Sequence, residues 1–280
     1  MNWRARAERL RALPLSAVLE QLGARPDPHD PAKWRTEQGV LSVCGPKFMN
    51  WSQGVGGGGA IDLVMHLRGV GFGLALEWLE GHVAALTAAQ PGSRPRAQML
   101  ALPTPVAKNW PRVARYLIEE RKLPATLLAP LVHSRMIYAD ARANAVFLLL
   151  DSNAAPVGAE LRGTSSMAWR GMAVGSSKDR GFFSVPSTPG QGIVLCESAI
   201  DAISCHALHP AYRCLSTSGA RPDPAWLSAL IEQGQTIYCG FDADPTGDAM
   251  AQRLREFHPS IQRLRPHAKD WNDLLRQRTR

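Results

Sequence analysis

The stretch YCGFDADPTGDAM, residues 238–250, puts two carboxylates, Asp242 and Asp244, two apart behind the apolar run Ile237-Tyr238-Cys239 and just ahead of Gly247. Around it, apolar runs alternate with helix-spaced segments. The reading from 192 onward is strand GIVLCE, helix SAIDAISCHAL, strand YRCLSTSG, helix DPAWLSALIEQ, strand QTIYCGFD, helix PTGDAMAQRLREF, strand SIQRLRP and helix WNDLLRQ. Strands that alternate with helices predict a mainly parallel sheet, because each parallel connection needs a crossover. In such sheets functional groups gather beyond the carboxyl ends of the strands. Glu197, Ser218-Gly219, Asp242 with Asp244, and KDWND (269–273) all fall there. Asp201, four residues after Glu197, lies one helical turn away on the same face.

Carboxylates this close repel one another and raise each other's pKa. A hard divalent cation removes the difficulty, since Mg²⁺ prefers oxygen ligands and is held by one or two carboxylates together with substrate phosphates. The pair therefore reads as a Mg²⁺ site for phosphate chemistry. The competing reading makes Asp244 the N-cap of a helix with Pro245 in its first turn. For the pair alone the two readings stand level; the full acidic set at successive strand ends favours the site.

IVLCESAIDAIS, STSG and YCGFDADPTGDAMAQRL resemble the three successive motifs of the Toprim domain, shared by bacterial replicative primases, type IA and II topoisomerases and some nucleases; the resemblance covers residues 190–280. It implies that Glu197 is the general acid/base or a metal ligand and that Asp242 and Asp244 hold Mg²⁺ or Mn²⁺. Asp201 joins the candidate ligands. The ending KDWNDLL is similar to Toprim proteins encoded by plasmids and mobile elements, which adds Asp270 as a ligand and Lys269 as a phosphate contact.

Upstream, RYLIEERKLPATLLAPLVHSRMIYAD and NAVFLLLDSNAAPVGAELRG resemble the segment that precedes Toprim in primases. Residues 106–185 carry 11 Lys or Arg against 6 acids, a surplus of 5 suited to phosphate backbones. Arg162 and Lys178 are the candidate nucleic-acid or nucleotide contacts, against the alternative of a solvated basic face. Before this, residues 87–107 hold four prolines among small residues and read as a linker. FMNWSQGVGGGGAIDLVMHLRG is similar to the end of the primase zinc ribbon. The ribbon's ligands are missing, however: Cys44 and distant His29 fall short of the four that structural zinc needs, so no zinc is expected. Gly56–Gly59 read as a flexible turn; Trp34, Phe48 and Trp51 read as core in preference to base-stacking platforms.

The predicted organisation is a degenerate ribbon-like domain (1–86), the linker (87–107), a mixed α+β basic subdomain (108–189) and an α/β Toprim domain (190–280). A surplus of 32 Lys and Arg over 24 Asp and Glu favours polyanionic partners. Five scattered cysteines without a CxxC pair read as buried thiols. No apolar run approaches the ~20 residues of a membrane span, and the basic N-terminus lacks an apolar signal core, so a cytoplasmic location is expected. The expected function is primer synthesis from ribonucleoside triphosphates on single-stranded DNA, for a plasmid or mobile element and beside that element's replication or conjugation proteins. The chain ends soon after Toprim, so a helicase-binding domain is not expected. The alternatives are a Toprim nuclease and a non-catalytic DNA-binding accessory protein. Topoisomerase is disfavoured: the chain is short for a strand gate, and Tyr116, Tyr138, Tyr212 and Tyr238 all fall within predicted elements.

Overall fold

The computed structural model describes residues 3–27, 32–50, 53–88, 99–165, 169–186 and 192–279. His29, Trp51 and the side chain of Cys44, which entered the sequence reading, lie outside the described residues. The chain divides into two compact units, Met1–Gln98 and Met99–Arg280.

In the first unit, α1 (Trp3–Arg11) and α2 (Leu15–Gln21) precede the meander β1 (Arg25–Pro26), β2 (Lys33–Thr36), β3 (Gly39–Cys44), β4 (Lys47–Asn50) and β5 (Val55–Gly58). Neighbouring strands are antiparallel and follow sequence order. Helices α3 (Ala60–Arg68) and α4 (Phe72–Ala88) complete the unit. Trp34 pairs with Leu41, and Val43 with Phe48. Period-two alternation therefore turns these side chains to one face, where Trp34, Leu41 and Phe48 join Leu10, Val18, Leu19, Ile61 and Leu79 in one core.

The glycine run is not the flexible turn expected from its composition. Gly56–Gly58 belong to β5, and Gly59 is the N-cap of α3 at φ +87°. A Cβ at Gly57 would stand 2.8 Å from Cε1 of Phe48 and 2.7 Å from Cβ of Asp62. Glycine is there because β5 lies flat on the Phe48 ring.

The second unit opens with a short 3₁₀ turn (Ala107–Asn109), α5 (Trp110–Arg115), a π-helical turn (Tyr116–Glu120) and α6 (Ala125–His133). An antiparallel sheet follows, formed by β6 (Ile137–Ala139), β7 (Ala145–Leu150), β8 (Pro156–Arg162) and β9 (Arg170–Met172). Residues 101–106, which composition assigns to the linker, are tied to this sheet. Ala101 N–H donates to Val174 C=O at 2.9 Å, the Tyr138 hydroxyl to Pro103 C=O at 2.9 Å, and Val106 N–H to Ala139 C=O at 2.8 Å.

The remaining elements are β10 (Phe183–Ser184), β11 (Gly192–Cys196), α7 (Ala199–Leu208), β12 (Tyr212–Ser216), α8 (Leu227–Glu232), β13 (Ile237–Cys239), α9 (Pro245–Phe257), β14 (Gln262–Arg263) and α10 (Trp271–Arg278). They form a sheet of order β10-β12-β11-β13-β14, parallel except for β10. The expected alternation is present, with a mainly parallel α/β sheet after a smaller mixed region. Central β11 is flanked by β12 and β13, so the chain leaves it first to one side and then to the other. That reversal opens a crevice beyond the carboxyl ends of β11 and β13.

Buried residues of α5, α6, β6, β7, β11, α7 and α10 share one core, including Val113, Leu131, Phe147, Val194, Ile203 and Trp271. The other face of the antiparallel sheet buries Tyr138, Val146, Ala159, Leu161 and Ala173. Trp271 also fastens the crevice from below, since its Nε1–H donates to Gly240 C=O at 2.7 Å.

The packing of β5 sets a test of the first unit. Gly57→Ala should destabilise it by about 1–3 kcal/mol through overpacking. Gly58→Ala, where a Cβ meets nothing within 4 Å, should stay within about 0.5 kcal/mol of wild type. Thermal denaturation of both variants checks this, and equal tolerance would restore the flexible-turn reading.

Candidate functional site

Each predicted acid is placed by the start of a helix or the end of a strand. Glu197 follows β11 directly, and its Oε1 accepts the Asp242 N–H at 3.0 Å. Ser198 caps α7: its hydroxyl accepts the Asp201 N–H at 3.2 Å and donates to Asp201 Oδ2 at 2.6 Å. Asp201 Oδ1 accepts the Asn272 N–H of α10 at 3.2 Å. Asp244 caps α9 through the Gly247 N–H at 2.8 Å, and Asp270 caps α10 through the Asp273 N–H at 2.6 Å. The capping reading of Asp244 is thus correct as far as it goes, and it does not reach Asp242.

Asp242 is the exception among these acids. Its Oδ1 is buried and has no hydrogen-bond partner among the described residues. Arg263 holds its backbone instead: Nη1 donates to the carbonyls of Cys239 (3.0 Å) and Phe241 (2.9 Å), and Nη2 to that of Asp242 (3.1 Å). The charge of Arg263 goes to Asp248 at 3.0 Å. Gly247 allows the start of α9 to pass beneath this loop, for a Cβ there would lie 2.3 Å from the Asp242 carbonyl oxygen.

The electrostatics follow from this arrangement. Burial, reinforced by the charges of Asp201, Glu197, Asp270 and Asp244, pushes the Asp242 carboxyl up to about 8. Burial and then Asp270 raise Asp201 to about 7. Glu197 and Asp270 are also raised, chiefly by burial. By contrast Asp248, paired with Arg265 and Arg263 at the surface, is held down to about 2. The contrast is one of neighbours: Asp248 sits against two arginines, while the crevice acids sit against one another.

The antiparallel sheet contributes to the same region. Phe147 pairs with Glu160 and Ala145 with Arg162, while Arg162 pairs in turn with Arg170. Strand alternation puts Glu160, Arg162 and Arg170 on the face that carries Phe147 into the shared core. Arg162 lowers the pKa of Asp201 by its charge, and Arg170 and Arg263 act likewise on Glu197. Lys269 acts on Asp270, and its carbonyl accepts the Ala243 N–H at 2.7 Å. Lys178 is placed beside the segment after β12, where its carbonyl accepts from Arg221 Nη1 (2.9 Å) and Trp226 Nε1 (3.0 Å).

Sequence reasoning missed Glu160, Arg170, Arg263 and Asn272. The available signal was a charged or amide residue inside an apolar strand or a helix's first turn, which needs a partner when buried.

Among the described residues, no three His, Cys, Asp or Glu side chains stand so as to hold a metal ion by themselves. Mg²⁺ does not require that, because water and substrate phosphates supply most of its ligands. The unpartnered, desolvated Asp242 oxygen and the hard oxygen donors around it fit such an ion. No helix among the described residues is long and apolar enough to cross a membrane.

Residues 194–275 match the Toprim-like family, and this part of the chain is a Toprim-like domain. Residues 115–188 match a family described as protein of unknown function (DUF3991). The chain is 32% identical over 312 aligned positions to a 65 kDa protein of Zymomonas mobilis, covering 97% of this chain and 51% of that protein. It therefore spans about half the length of that curated relative. Similar solved structures include the RNA polymerase domain of Mycobacterium tuberculosis primase DnaG, at 14% identity and a TM-score of 0.44, covering 59% of this chain and 74% of that one. Another comprises the zinc-binding and RNA polymerase domains of the Aquifex aeolicus primase, at 13% identity and a TM-score of 0.36, covering 97% and 82%.

The Asp242 environment sets a pH-dependent test in metal-free solution. Its carboxyl is raised from 3.8 to about 8, so between those values the folded state keeps a proton that the unfolded state has lost. Stability is therefore eroded as pH rises through this window, with nothing lost below about 4 and the full cost present above about 8. Asp242→Asn should melt higher than wild type above about pH 8 and together with it near pH 4. A variant that melts lower at every pH would make Asp242 a structural acid.

Proposed function

We propose that the chain is a primase-like nucleotidyl transferase, joining ribonucleoside triphosphates on a single-stranded DNA template with Mg²⁺ or Mn²⁺. One observation carries the reading: a desolvated carboxylate oxygen of Asp242 stands without a partner among the described residues, in the crevice beyond β11 and β13. That oxygen costs stability, and a divalent cation bound to substrate phosphates is the ligand chemistry that offsets the cost.

Asp242 and Asp244 would hold the ion, with Asp201 and Asp270 beside them; bound there, it would neutralise phosphate charge and favour ionisation of the attacking 3′-hydroxyl. Glu197 stays next to Asp242 through the Asp242 N–H and would take or return the proton at that hydroxyl. Arg162 and Arg170, directed at the acids from β8 and β9, would bind the phosphates of nucleotide or template. Lys178 and Lys269 would extend the basic track. Burial of the acids excludes water and strengthens each of these interactions. Plasmid or mobile-element replication is the setting supported by the KDWNDLL ending.

The deciding experiment incubates the purified chain with single-stranded DNA, labelled ribonucleotides and Mg²⁺. Short RNA products are expected, and Asp242→Asn should abolish them. DNA cleavage without RNA would establish a nuclease, and neither product would establish an accessory protein. Binding supplies a separate test. Single-stranded DNA affinity should fall steeply with salt, and Arg162→Ala or Lys178→Ala should each reduce the log–log slope by about one. An unchanged slope would assign that residue to a solvated face.

A further inference from the structure

We propose that Glu160 is a positioning residue for the carboxylate centre, fixing Glu197 from the neighbouring antiparallel sheet. The inference rests on the reading of that centre as a metal–phosphate site.

An acid in the middle of the largely apolar strand β8 requires partners, and Glu160 has three. Oε2 accepts the Ala199 N–H at 3.0 Å, and Oε1 accepts the Ser218 hydroxyl at 2.9 Å together with the hydroxyl of Ser216. All three donors belong to the motif segments around Glu197, and none to the sheet that carries Glu160. Ala199 is the first residue of α7, where a carboxylate also meets the positive end of the helix dipole.

Ser218 has φ +55°, a left-handed conformation costly for a residue with a Cβ. It is held there by the Glu160 carboxylate and by its own N–H, which donates to the Ser216 hydroxyl at 3.1 Å. The adjacent Gly219 then donates its N–H to the Glu197 carbonyl at 2.7 Å. Glu197 is thus gripped at its own carbonyl by Gly219 and two residues onward at Ala199, and both grips trace back to Glu160. The Glu197 side chain in turn accepts the Asp242 N–H at 3.0 Å. A continuous line of hydrogen bonds and adjoining residues runs from the antiparallel sheet to the ends of β11 and β13, with Glu160 at its origin.

The test uses the full chain carrying Glu160→Ala or Glu160→Gln. It reads the kcat and KM of the phosphoryl transfer that wild type performs, and separately the melting shift produced by Mg²⁺ alone. Glu160→Ala should lower kcat about tenfold or more while the nucleotide KM stays within about twofold, because a displaced reacting group costs rate more than binding. It should also weaken the Mg²⁺-induced shift. Glu160→Gln keeps an acceptor oxygen and should recover part of both. A lower melting temperature with wild-type kcat per folded molecule and a wild-type Mg²⁺ shift would make Glu160 merely structural and overturn the inference. Should Glu160→Ala not fold, Ser218→Ala removes one of the three donors and is judged by the same two readouts. The parent reading is scored on wild type: neither phosphoryl transfer nor a Mg²⁺ shift there would sink the metal–phosphate site and this inference with it. Variants indistinguishable from an active wild type would sink the inference alone.

Discussion

Mutual repulsion among Glu197, Asp201, Asp242 and Asp270 is the constraint around which the second unit is arranged. Buried like charges separate unless the structure forbids it; here backbone N–H donors hold Glu197, Asp201 and Asp270, and Arg263 holds the backbone of Asp242. Asp244 and Asp270 are caps of α9 and α10, and Asp201 lies in the capped first turn of α7. A helix N-terminus offers unsatisfied N–H groups and a favourable dipole, so it both fixes a carboxylate and offsets part of its charge. Three helix starts converge on one crevice because the sheet reverses direction at β11. The connections that build a parallel sheet thus also assemble its acidic cluster.

The antiparallel sheet belongs to the same construction. Its β6 and β7 residues Ile137, Ala139, Ala145 and Phe147 share a core with α7 and α10. That packing sets the distance at which β8 and β9 present Glu160, Arg162 and Arg170. A one-residue slip of β8 against β7 would turn Glu160 and Arg162 to the opposite face, since side chains alternate with period two. Apolar packing on one strand therefore governs the register of charge on the next. Arg121 adds a further tie from the π-helical turn: its carbonyl accepts the Asn272 side-chain N–H at 2.7 Å, and its Nε–H donates to the Tyr116 hydroxyl at 2.8 Å.

The alternating half of the fold was legible because parallel strands are short apolar runs and their helices begin with caps and amphipathic spacing. GIVLCE, YRCLSTSG and QTIYCGFD each contain an observed strand; Glu197 follows β11 directly and Asp242 comes three residues after β13. Strands β6 and β9 are harder to read: β9 (RGM) carries no apolar run, and β6 follows the end of α6 after only three residues. Gly56–Gly59 misled because a glycine run has the same composition whether it moves freely or lies flat against Phe48; only the neighbour 2.8 Å away decides. Glu160 was invisible for another reason. Its donors lie 39 to 58 residues away, and nothing local in GAELRG indicates which strand end it reaches.

The acids of the crevice differ in what they return to the fold, and this bears on how substitutions there are interpreted. Asp244 and Asp270 each stabilise a helix start, so removing either costs about 0.5–2 kcal/mol in cap alone, whatever else it does. Lost activity in such a variant mixes a frayed helix with a missing ligand. Asp242 caps nothing, and its buried oxygen is unpartnered among the described residues. Arg263 and Gly247 secure its backbone independently of its side chain. At this position the carboxylate can be replaced by an isosteric amide without removing a structural contact, so its contribution to binding and chemistry separates from its contribution to folding. A buried acid that the surrounding structure supports but does not use is the part of the site least explained by stability.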